Sequence, residues 1–247
     1  MSRSLVLVAL VALAAAGSNS SIARGRHAAG PAIKRVLGYS VEHRPIVATL
    51  IGVERAPRVM LVVGSIAGDE PGGTAVARAL AALPAVGGVQ LWLIPDMNPD
   101  GAARGTRGNA DGVDLNRNFP FRWRRLGGPG SRYYPGGRPA SEPESRAVEA
   151  FIARLRPGLT VWLHQPYALV DDSQGPRWAE QLVGHATGLP LNRLPDYPGS
   201  AIGWEDHLIP GSAFDLELPG GPLEGPTVRR YARAVGLLAR TFAAAGK

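Results

Sequence analysis

The stretch that decides the fold runs from residue 58 to residue 80 and reads RVMLVVGSIAGDEPGGTAVARAL. Its first part, residues 59–63, is a short continuous apolar run rich in Val, which is typical of a buried strand. Residues 74–83 have a helix-like pattern, and the Gly and Pro residues before them are typical of a loop or of the start of a helix. The loop between them is rich in Gly and acid. The stretch therefore predicts one strand–loop–helix unit of an α/β fold.

The same alternation continues along the 247-residue chain. Apolar strands separated by helices predict a single α/β domain, with a mixed, mostly parallel twisted sheet covered by helices on both faces. The segment over residues 95–139 is long, polar and rich in Gly, which in a compact domain indicates a functional loop. The other predicted strands are residues 46–51, 89–94, 159–163 and 213–218, and the other predicted helices are residues 145–155, 177–187 and 226–245.

The N-terminal segment has the layout of a secretory signal peptide. A basic start precedes an unbroken apolar run over residues 5–16, which is too short to span a bilayer comfortably. Cleavage after Ala16 or after Ala23 stays open, and an uncleaved anchor is the alternative. We expect export and no stable membrane partner after cleavage. The expected division is a signal and cleavage region over residues 1–23, a flexible lead-in over 24–34 and one domain over 35–247.

Composition and charge narrow the class of function. The formal net charge of +7 comes mainly from Arg residues, which are scattered apart from a short cluster within residues 122–125. Nucleic-acid binding calls for a concentrated basic stripe, so no nucleic-acid partner is expected. The chain has no Cys, so an exported form would depend on its core or on a bound ligand for stability. It also lacks the Gly-x-Ser-x-Gly elbow of serine hydrolases and the Gly-x-x-x-x-Gly-Lys loop of nucleotide-binding proteins.

Polar side chains concentrate where the predicted strands end, which is where an open α/β sheet binds its ligands. Glu70 closes the first loop, and His164 follows the strand over residues 159–163. Glu217 lies inside an otherwise apolar strand. A buried carboxylate without a partner is costly, so Glu217 is expected to face a charge, a metal or a cleft. The fourth place is the segment 98–120, with NPDG at its start and DLNRNFP at its end.

Each of these places also has an ordinary structural interpretation. Residues 98–101 alone would form a routine turn. A lone His after a strand is more often a hydrogen-bonded core residue than a ligand. Asn116, Arg117 and Asn118 could form a loop network, although Asn and Arg side chains also suit the bidentate capture of a substrate carboxylate. Taken singly, these residues leave the function open.

The order of the motifs along the chain carries more information than any one of them. They are Gly-Asp-Glu, Asn-Pro-Asp-Gly, Thr-Arg, Gly-Val-Asp-Leu-Asn-Arg-Asn-Phe-Pro, Ser-Glu-Pro-Glu, Leu-His-Gln and Glu-Leu-Pro. This set resembles the zinc carboxypeptidase family and, more narrowly, its bacterial branch of murein-peptide amidases. The resemblance covers roughly residues 35–245, and residues 112–120 are its most specific part. It implies the zinc carboxypeptidase fold and hydrolysis of a peptide bond next to a free carboxylate, with cell-wall peptides as substrates.

The resemblance also implies one zinc ion and a role for each matching residue. Amide hydrolysis at neutral pH needs an activated water, a polarised carbonyl and a proton carrier, and zinc supplies the first of these. The implied zinc ligands are Glu70 and His164. The implied catalytic residues are Glu217 as general base and Arg107 at the carbonyl, and the implied substrate-binding residues are Asn116, Arg117 and Tyr197.

The sequence departs from the family at the first zinc ligand. The family has a His-x-x-Glu segment, and this chain has Ala67 at the position of the His. Catalytic zinc normally takes three protein ligands and a water, so one lost ligand should lower the affinity for zinc by about a hundredfold. Asp69 is a potential substitute ligand. His43 and His207 are also candidates, although their positions in the sequence match no known spacing of zinc ligands.

Two classes of function remain open on this basis. The first is a zinc peptidase or amidase whose activity is reduced or lost through Ala67. The second is a catalytically degenerate protein of the same fold, which binds peptide carboxylates without cutting them. If the site had drifted without function, several of its residues should have been lost. Arg107, Asn116, Arg117, His164 and Glu217 are all present, which favours the family's chemistry. Ala67 could be natural or could have been introduced by engineering, and the sequence alone does not distinguish these two origins.

Overall fold

The computed structural model describes residues 33–172 and 175–245, and within these ranges it contains eight strands and six α-helices. The strands are β1 (Ile33–Tyr39), β2 (Pro45–Gly52), β3 (Arg58–Val63), β4 (Val89–Ile94), β5 (Leu159–His164), β6 (Tyr167–Asp171), β7 (Leu191–Asn192) and β8 (Ala213–Pro219). The helices are α1 (Pro71–Ala81), α2 (Pro99–Arg104), α3 (Pro143–Leu155), α4 (Arg177–Thr187), α5 (Ala201–Leu208) and α6 (Gly225–Ala244). A single 3₁₀ turn covers Leu115–Arg117.

The strands form one sheet with the order β1-β2-β4-β3-β5-β8-β6-β7. The central strands β4, β3, β5 and β8 pair in parallel, so their carboxyl ends lie at the same edge. Antiparallel pairs join β1, β2 and β4 on one side and β8 with β6 on the other. The predicted mixed and mostly parallel sheet is confirmed.

Two hydrophobic cores lie on opposite faces of the sheet. Successive side chains of a strand point to opposite faces, and the β3 residues Leu61 and Val62 accordingly belong to different cores. The core around Val62 includes buried residues of α1, α4 and α6, whereas the core around Leu61 includes those of α3 and α5. Helices therefore cover both faces, as predicted.

Some element boundaries differ from the sequence predictions. β1 begins at Ile33, so the last two residues of the predicted lead-in over 24–34 belong to a strand. The predicted loop over residues 95–139 contains α2, because Pro99 occupies the first turn and the Asn98 side chain accepts a hydrogen bond from the Gly101 amide. The strand β6 and the helix α5 were not predicted, since both are short and have no clear periodicity.

The predicted signal region over residues 1–23 lies outside the described residues, so export stays a prediction. In the part of the chain that the structure describes, no helix combines the length and the apolar character that crossing a membrane requires.

The buried acid Glu205 in α5 gives a prediction about pH. Its carboxyl group accepts hydrogen bonds from Thr160 Oγ1 (2.6 Å) and Trp162 Nε1 (2.8 Å), and burial raises its pKa to about 7. A raised pKa in the folded state means that the folded protein binds more protons than the unfolded chain between about pH 4.5 and 7. The stability that Glu205 contributes is therefore present below pH 4.5 and is lost as the pH rises through 7.

The isosteric variant Glu205→Gln should be more stable than the unaltered chain at pH 8, by about 2 kcal/mol, and similar to it at pH 4. The glutamine keeps an oxygen for Trp162 and can donate to Thr160, so packing is preserved. Urea unfolding at both pH values measures the difference. The exposed Glu54→Gln is the matched control and should show no such difference; equal stability of Glu205→Gln and the unaltered chain at pH 8 would contradict the prediction.

Candidate active site

The candidate site is a cleft of about 520 Å³ at the carboxyl edge of the parallel strands. Glu70 comes to it from the loop after β3, and His164 is the last residue of β5. Glu217 lies in β8 directly beside His164, because these two residues are paired in the register of the two strands. The sequence-predicted ligands and base therefore meet in one place. The cleft is also lined by Arg107, Asn116, Arg117 and Tyr197, so the predicted site residues other than position 67 all reach it.

Glu70 is the centre of the hydrogen-bond network in this cleft. Its Oε2 accepts from His164 Nδ1 and from the Gln165 amide, both at 3.1 Å, and its Oε1 accepts from Arg107 Nη1 at 3.1 Å. Burial acts to raise the pKa of Glu70, but the hydrogen bond and charge of His164 and the charge of Arg107 hold it below its usual value. Glu70 is therefore an ionised carboxylate whose two oxygens are both occupied by protein donors.

His164 is buried between carboxylates. Its Nδ1 faces Glu70, and its Nε2 lies 3.9 Å from Asp215 Oδ1. Burial works against a charged imidazole, yet Asp215 and Glu70 outweigh it and raise the pKa of His164 to about 9. The ring is thus protonated at neutral pH and donates to Glu70. A metal ligand must be a neutral imidazole, so a metal would have to displace this proton.

The segment after α2 places a basic side chain over the cleft. Arg107 Nε donates to Asp114 Oδ2 at 2.9 Å, and the same Asp114 accepts the Asn116 amide at 3.0 Å. Burial acts to lower the pKa of Arg107, but Asp114 and Glu70 outweigh it and raise the value. Asp114 thereby fixes Arg107 and the start of the 3₁₀ turn relative to each other, so one fully buried acid positions both basic elements of the site.

Arg117 has a different environment from Arg107. Its side chain is buried, and within the described residues it forms no ion pair with a carboxylate. Its guanidinium stacks on the ring of Tyr197, 4.2 Å from the centroid, and lies 5.5 Å from that of Tyr133. Burial lowers the pKa of Arg117; the charge of Asp114 opposes this shift and that of Arg107 adds to it. Arg117 Nη1 donates to the Asn116 backbone carbonyl at 2.6 Å, and the charge of the guanidinium is not balanced by an ion pair among the described residues.

Asn116 and Glu217 complete the walls of the cleft. Asn116 Oδ1 accepts the Ala201 amide at 2.9 Å, which turns its Nδ2 toward His164 Nε2 at 3.5 Å. Glu217 Oε2 accepts the Tyr167 amide at 3.4 Å. Burial raises the pKa of Glu217, and Glu70 acts in the same direction while His164 opposes it. Glu217 is therefore a carboxylate that holds a proton more readily than an exposed one, as a proton carrier requires.

The proposed substitute ligands do not gather at the cleft. Asp69 Oδ2 faces Arg132 at 3.4 Å, and His43 lies in the turn between β1 and β2. His207 stacks on Phe121 with ring centroids 4.2 Å apart. Ala67 is completely buried and carries no donor atom.

The donor set does not fit a zinc ion held by three protein ligands. It consists of the Glu70 carboxylate and the His164 imidazole, which are hydrogen-bonded to each other, and Ala67 supplies no third donor atom. Over residues 33–172 and 175–245, no three His, Cys, Asp or Glu side chains form a group that could hold a metal ion.

Four residues of the site were not singled out from the sequence. Asp114 belongs to a motif that was recognised, but its positioning role needs the structure. Asp215 could have been found, because it lies two residues before Glu217 on the same face of a strand. Tyr133 comes from a long loop with no sequence signal. Gln165 follows His164, and its side chain ties loops together rather than reacting.

Gln165 holds the base of the cleft through hydrogen bonds from its backbone and its side chain. Its amide donates to Glu70, its Oε1 accepts the Gly72 amide at 2.8 Å, and its Nε2 donates to Gly221 O at 2.8 Å and to Pro219 O. The start of α1 and the loop after β8 are thereby fastened to the end of β5.

The sequence profile described as zinc carboxypeptidase matches residues 26–170, which is more than half of the chain. The chain belongs to the zinc carboxypeptidase family. This is a hydrolytic family of metallocarboxypeptidases and amidases, and its carboxypeptidases use zinc. The predicted family and fold are confirmed.

Bacterial amidases are among the most similar members of the zinc carboxypeptidase family. Murein peptide amidase A of Escherichia coli (strain K12) is 37% identical over 121 residues, which cover 44% of this chain and 50% of the relative. The match thus spans about half the length of that relative. Murein peptide amidase A of Vibrio campbellii (strain ATCC BAA-1116) is 35% identical over 204 residues, which cover 74% of this chain and 77% of the relative.

Solved structures of the zinc carboxypeptidase fold agree with this assignment. The crystal structure of murein-tripeptide amidase MpaA from Escherichia coli O157 matches with a TM-score of 0.68 at 29% identity, covering 87% of this chain and 94% of that chain. Carboxypeptidase A from Helicoverpa armigera matches with a TM-score of 0.76 at 19% identity, covering 87% of this chain and 69% of that chain. The second likeness concerns the fold alone.

Proposed function

We propose that this protein binds peptides that end in a free carboxylate and that it hydrolyses the amide bond next to that carboxylate only slowly. The observation that carries the proposal is Arg117, a buried guanidinium that faces the cleft without an anionic partner among the described residues. A substrate carboxylate placed there would gain charge-assisted hydrogen bonds and would remove the cost of the unpaired charge.

The peptide-binding half of the site is built without a metal. The Arg117 guanidinium stacks on Tyr197, lies near Tyr133, and donates to the backbone carbonyl of Asn116 at 2.6 Å. Arg107, already tied to Asp114, lies where it can orient the carbonyl of the bond next to the carboxylate. Glu217 is the carboxylate that would hold a proton at the leaving amine. These roles require only side chains that line the cleft.

Slow turnover follows from the donor set. In the family, zinc supplies the activated water, and we propose that position 67 is the place of the third ligand, occupied here by Ala67. Of the implied protein ligands only Glu70 and His164 remain, so zinc would be held by fewer protein atoms than a catalytic zinc normally has. A protein that binds the peptide without any turnover is the second candidate, and the lack of a donor atom on the buried Ala67 side chain is the observation that favours it.

Cell-wall peptides are the proposed substrates. The support is the similarity to murein peptide amidases of two bacteria and to a murein-tripeptide amidase structure. An exported protein, as the N-terminal sequence predicts, would meet such peptides.

The test of the proposed function compares a peptide acid with its carboxamide. Calorimetry should show binding of N-acetyl-Ala-Glu-norleucine and much weaker binding of its C-terminal amide. Arg117→Ala should weaken binding of the acid by about thirtyfold, because one charged hydrogen-bonding partner is lost. The control is Arg154→Ala, which removes an exposed arginine of α3 and should leave binding unchanged.

Equal binding of the acid and the amide, or full affinity in Arg117→Ala, would overturn the carboxylate-binding role. Turnover is measured separately, by release of norleucine with and without added zinc. Stoichiometric zinc in the unaltered chain together with rapid release would show that the slow-turnover proposal is wrong.

A further inference from the structure

The outer side of α6 carries a basic face that the proposed function does not use. The helix contains four arginines, which are Arg229, Arg230, Arg233 and Arg240, and it contains no Asp or Glu. All four are exposed, and none of them forms an ion pair within the part of the chain that the structure describes. Together with Leu237 they make up the α6 arginine face, whose charge the protein itself does not balance.

Helical spacing brings the α6 arginine face into one line. Arg229, Arg233, Leu237 and Arg240 are three or four residues apart, so they lie along the same side of the helix over roughly 16 Å. The opposite side of the helix is buried in the core, with Leu238 completely covered. The fold thus uses the apolar side of α6, and a partner meets only the basic side.

Exposed apolar side chains lie among these charges. Leu237 is 41% exposed. Trp178 of the neighbouring helix α4 is 40% exposed, and its ring stacks on Phe242 of α6 with the centroids 6.4 Å apart. A groove of about 630 Å³ separates the arginines from Ala186 at the other end of α4. The two helices therefore present one surface that is both cationic and partly apolar.

A lipid surface matches both properties of this face. Phosphate headgroups accept charge-assisted hydrogen bonds from guanidinium groups. The boundary between headgroups and acyl chains accommodates leucine and the amphipathic indole of tryptophan. A soluble polyanion would pair with the arginines but would leave Leu237 and Trp178 in water. Charge and apolar exposure together therefore favour a membrane surface over a soluble polymer.

We propose that the α6 arginine face docks reversibly on a bilayer surface that contains anionic lipids. Each arginine near such a surface raises the affinity roughly fivefold, so several together give measurable binding. The attachment is peripheral, because the apolar side of α6 stays in the core. The cleft lies at the carboxyl edge of the sheet, whereas α6 covers a face of the sheet, so docking leaves the cleft open. The inference does not depend on what the cleft binds.

The test is co-sedimentation of the full chain with lipid vesicles. Vesicles of equal parts phosphatidylglycerol and phosphatidylcholine should bind it at least about tenfold more tightly than vesicles of phosphatidylcholine alone, and added salt should weaken this binding. Replacing three arginines of the face by glutamine should weaken binding about a hundredfold. The substitutions are Arg229→Gln, Arg233→Gln and Arg240→Gln.

The matched control removes the same charge from another part of the surface. Three exposed arginines outside α6 and outside the cleft are replaced together, and binding should stay within about threefold of the unaltered chain. The control substitutions are Arg124→Gln, Arg125→Gln and Arg154→Gln. The predicted signal region contains an apolar run, but it is the same in every variant, so the comparison between variants does not depend on it.

Leu237→Ser separates a lipid surface from a soluble polyanion. It should weaken vesicle binding about threefold, because a side chain that enters the headgroup boundary is lost, and it should leave the binding of soluble polyphosphate unchanged. All substituted residues are exposed, and thermal unfolding shows whether each variant is folded.

Three results would overturn the proposal. The first is equal binding of the unaltered chain to both kinds of vesicle, which is measured without any variant. The second is an equal loss in the two triple variants, which would show that only net charge acts. The third is unchanged vesicle binding by Leu237→Ser together with tighter binding of polyphosphate than of vesicles, which would assign the face to a soluble polyanion.

Discussion

Replacing Ala67 by histidine should raise the affinity of the cleft for zinc by about a hundredfold, because it adds a third protein ligand to Glu70 and His164. In this variant the added imidazole, Glu70 and His164 would hold the ion, which would supply an activated water. Hydrolysis of a peptide ending in a free carboxylate should rise together with the metal content. Competition titration with a chromogenic chelator measures the affinity.

The matched controls for Ala67→His separate ligation from bulk. Ala67→Leu adds a side chain of similar size without a donor and should show no gain in zinc affinity. Ala67→His combined with His164→Ala should lose the gain, since it has again only two ligands. Position 67 is completely buried, so thermal unfolding should first establish that each variant is folded. A folded Ala67→His without tighter zinc binding would show that position 67 is not the place of the missing ligand.

Gly68→Ala should destabilise the fold by about 3 kcal/mol or more, because a methyl group at this position has no room. A Cβ atom on Gly68 would lie 2.1 Å from Gly101 C and 2.4 Å from Ala102 N, and both are backbone atoms of α2. The two segments cannot move apart freely. The Gly68 amide donates to Arg107 O at 3.2 Å, and Asn98 Nδ2 donates to Ile66 O at 3.3 Å.

Urea unfolding of Gly68→Ala beside Gly87→Ala gives the comparison. Gly87 has open space around the position of a Cβ, so its variant should be nearly as stable as the unaltered chain. Since Gly68 lies between Ala67 and Glu70, the same variant should also disturb the placement of Glu70 against Arg107 and weaken peptide binding. A Gly68→Ala protein with unchanged stability would show that the close approach of the loop to α2 is wrong.

The main layout of the fold could be predicted because its signals are local. The strand over residues 59–63 is a continuous apolar run, and Gly and Pro residues separate it from the helix that follows. Parallel strands that are neighbours in the sheet have their carboxyl ends at the same edge. This is why Glu70, His164 and Glu217, which are far apart in the sequence, could be expected together. Their meeting is a consequence of sheet order, in which β3, β5 and β8 are adjacent.

Other parts of the site depend on long-range contacts that leave no local pattern. Tyr133 reaches Arg107 and Arg117 from a loop without secondary structure, so no periodicity marks it. The protonated state of His164 depends on Asp215 and Glu70, which come from two other segments. That no carboxylate of the described residues forms an ion pair with Arg117 is also a property of the assembled cleft. Sequence patterns identify which residues are present, whereas the charge state of each residue is set by its neighbours in space.

The hydrogen bonds of Gln165 have a practical consequence. They fasten the start of α1, the end of β5 and the loop after β8 to one another through protein atoms alone. The shape of the cleft is therefore maintained by the polypeptide, whatever ion the surrounding solution offers. Purification in the presence of a chelator should yield folded protein. The metal content of a preparation would then depend on how the protein was purified. It would not measure the fraction of the sample that is correctly folded.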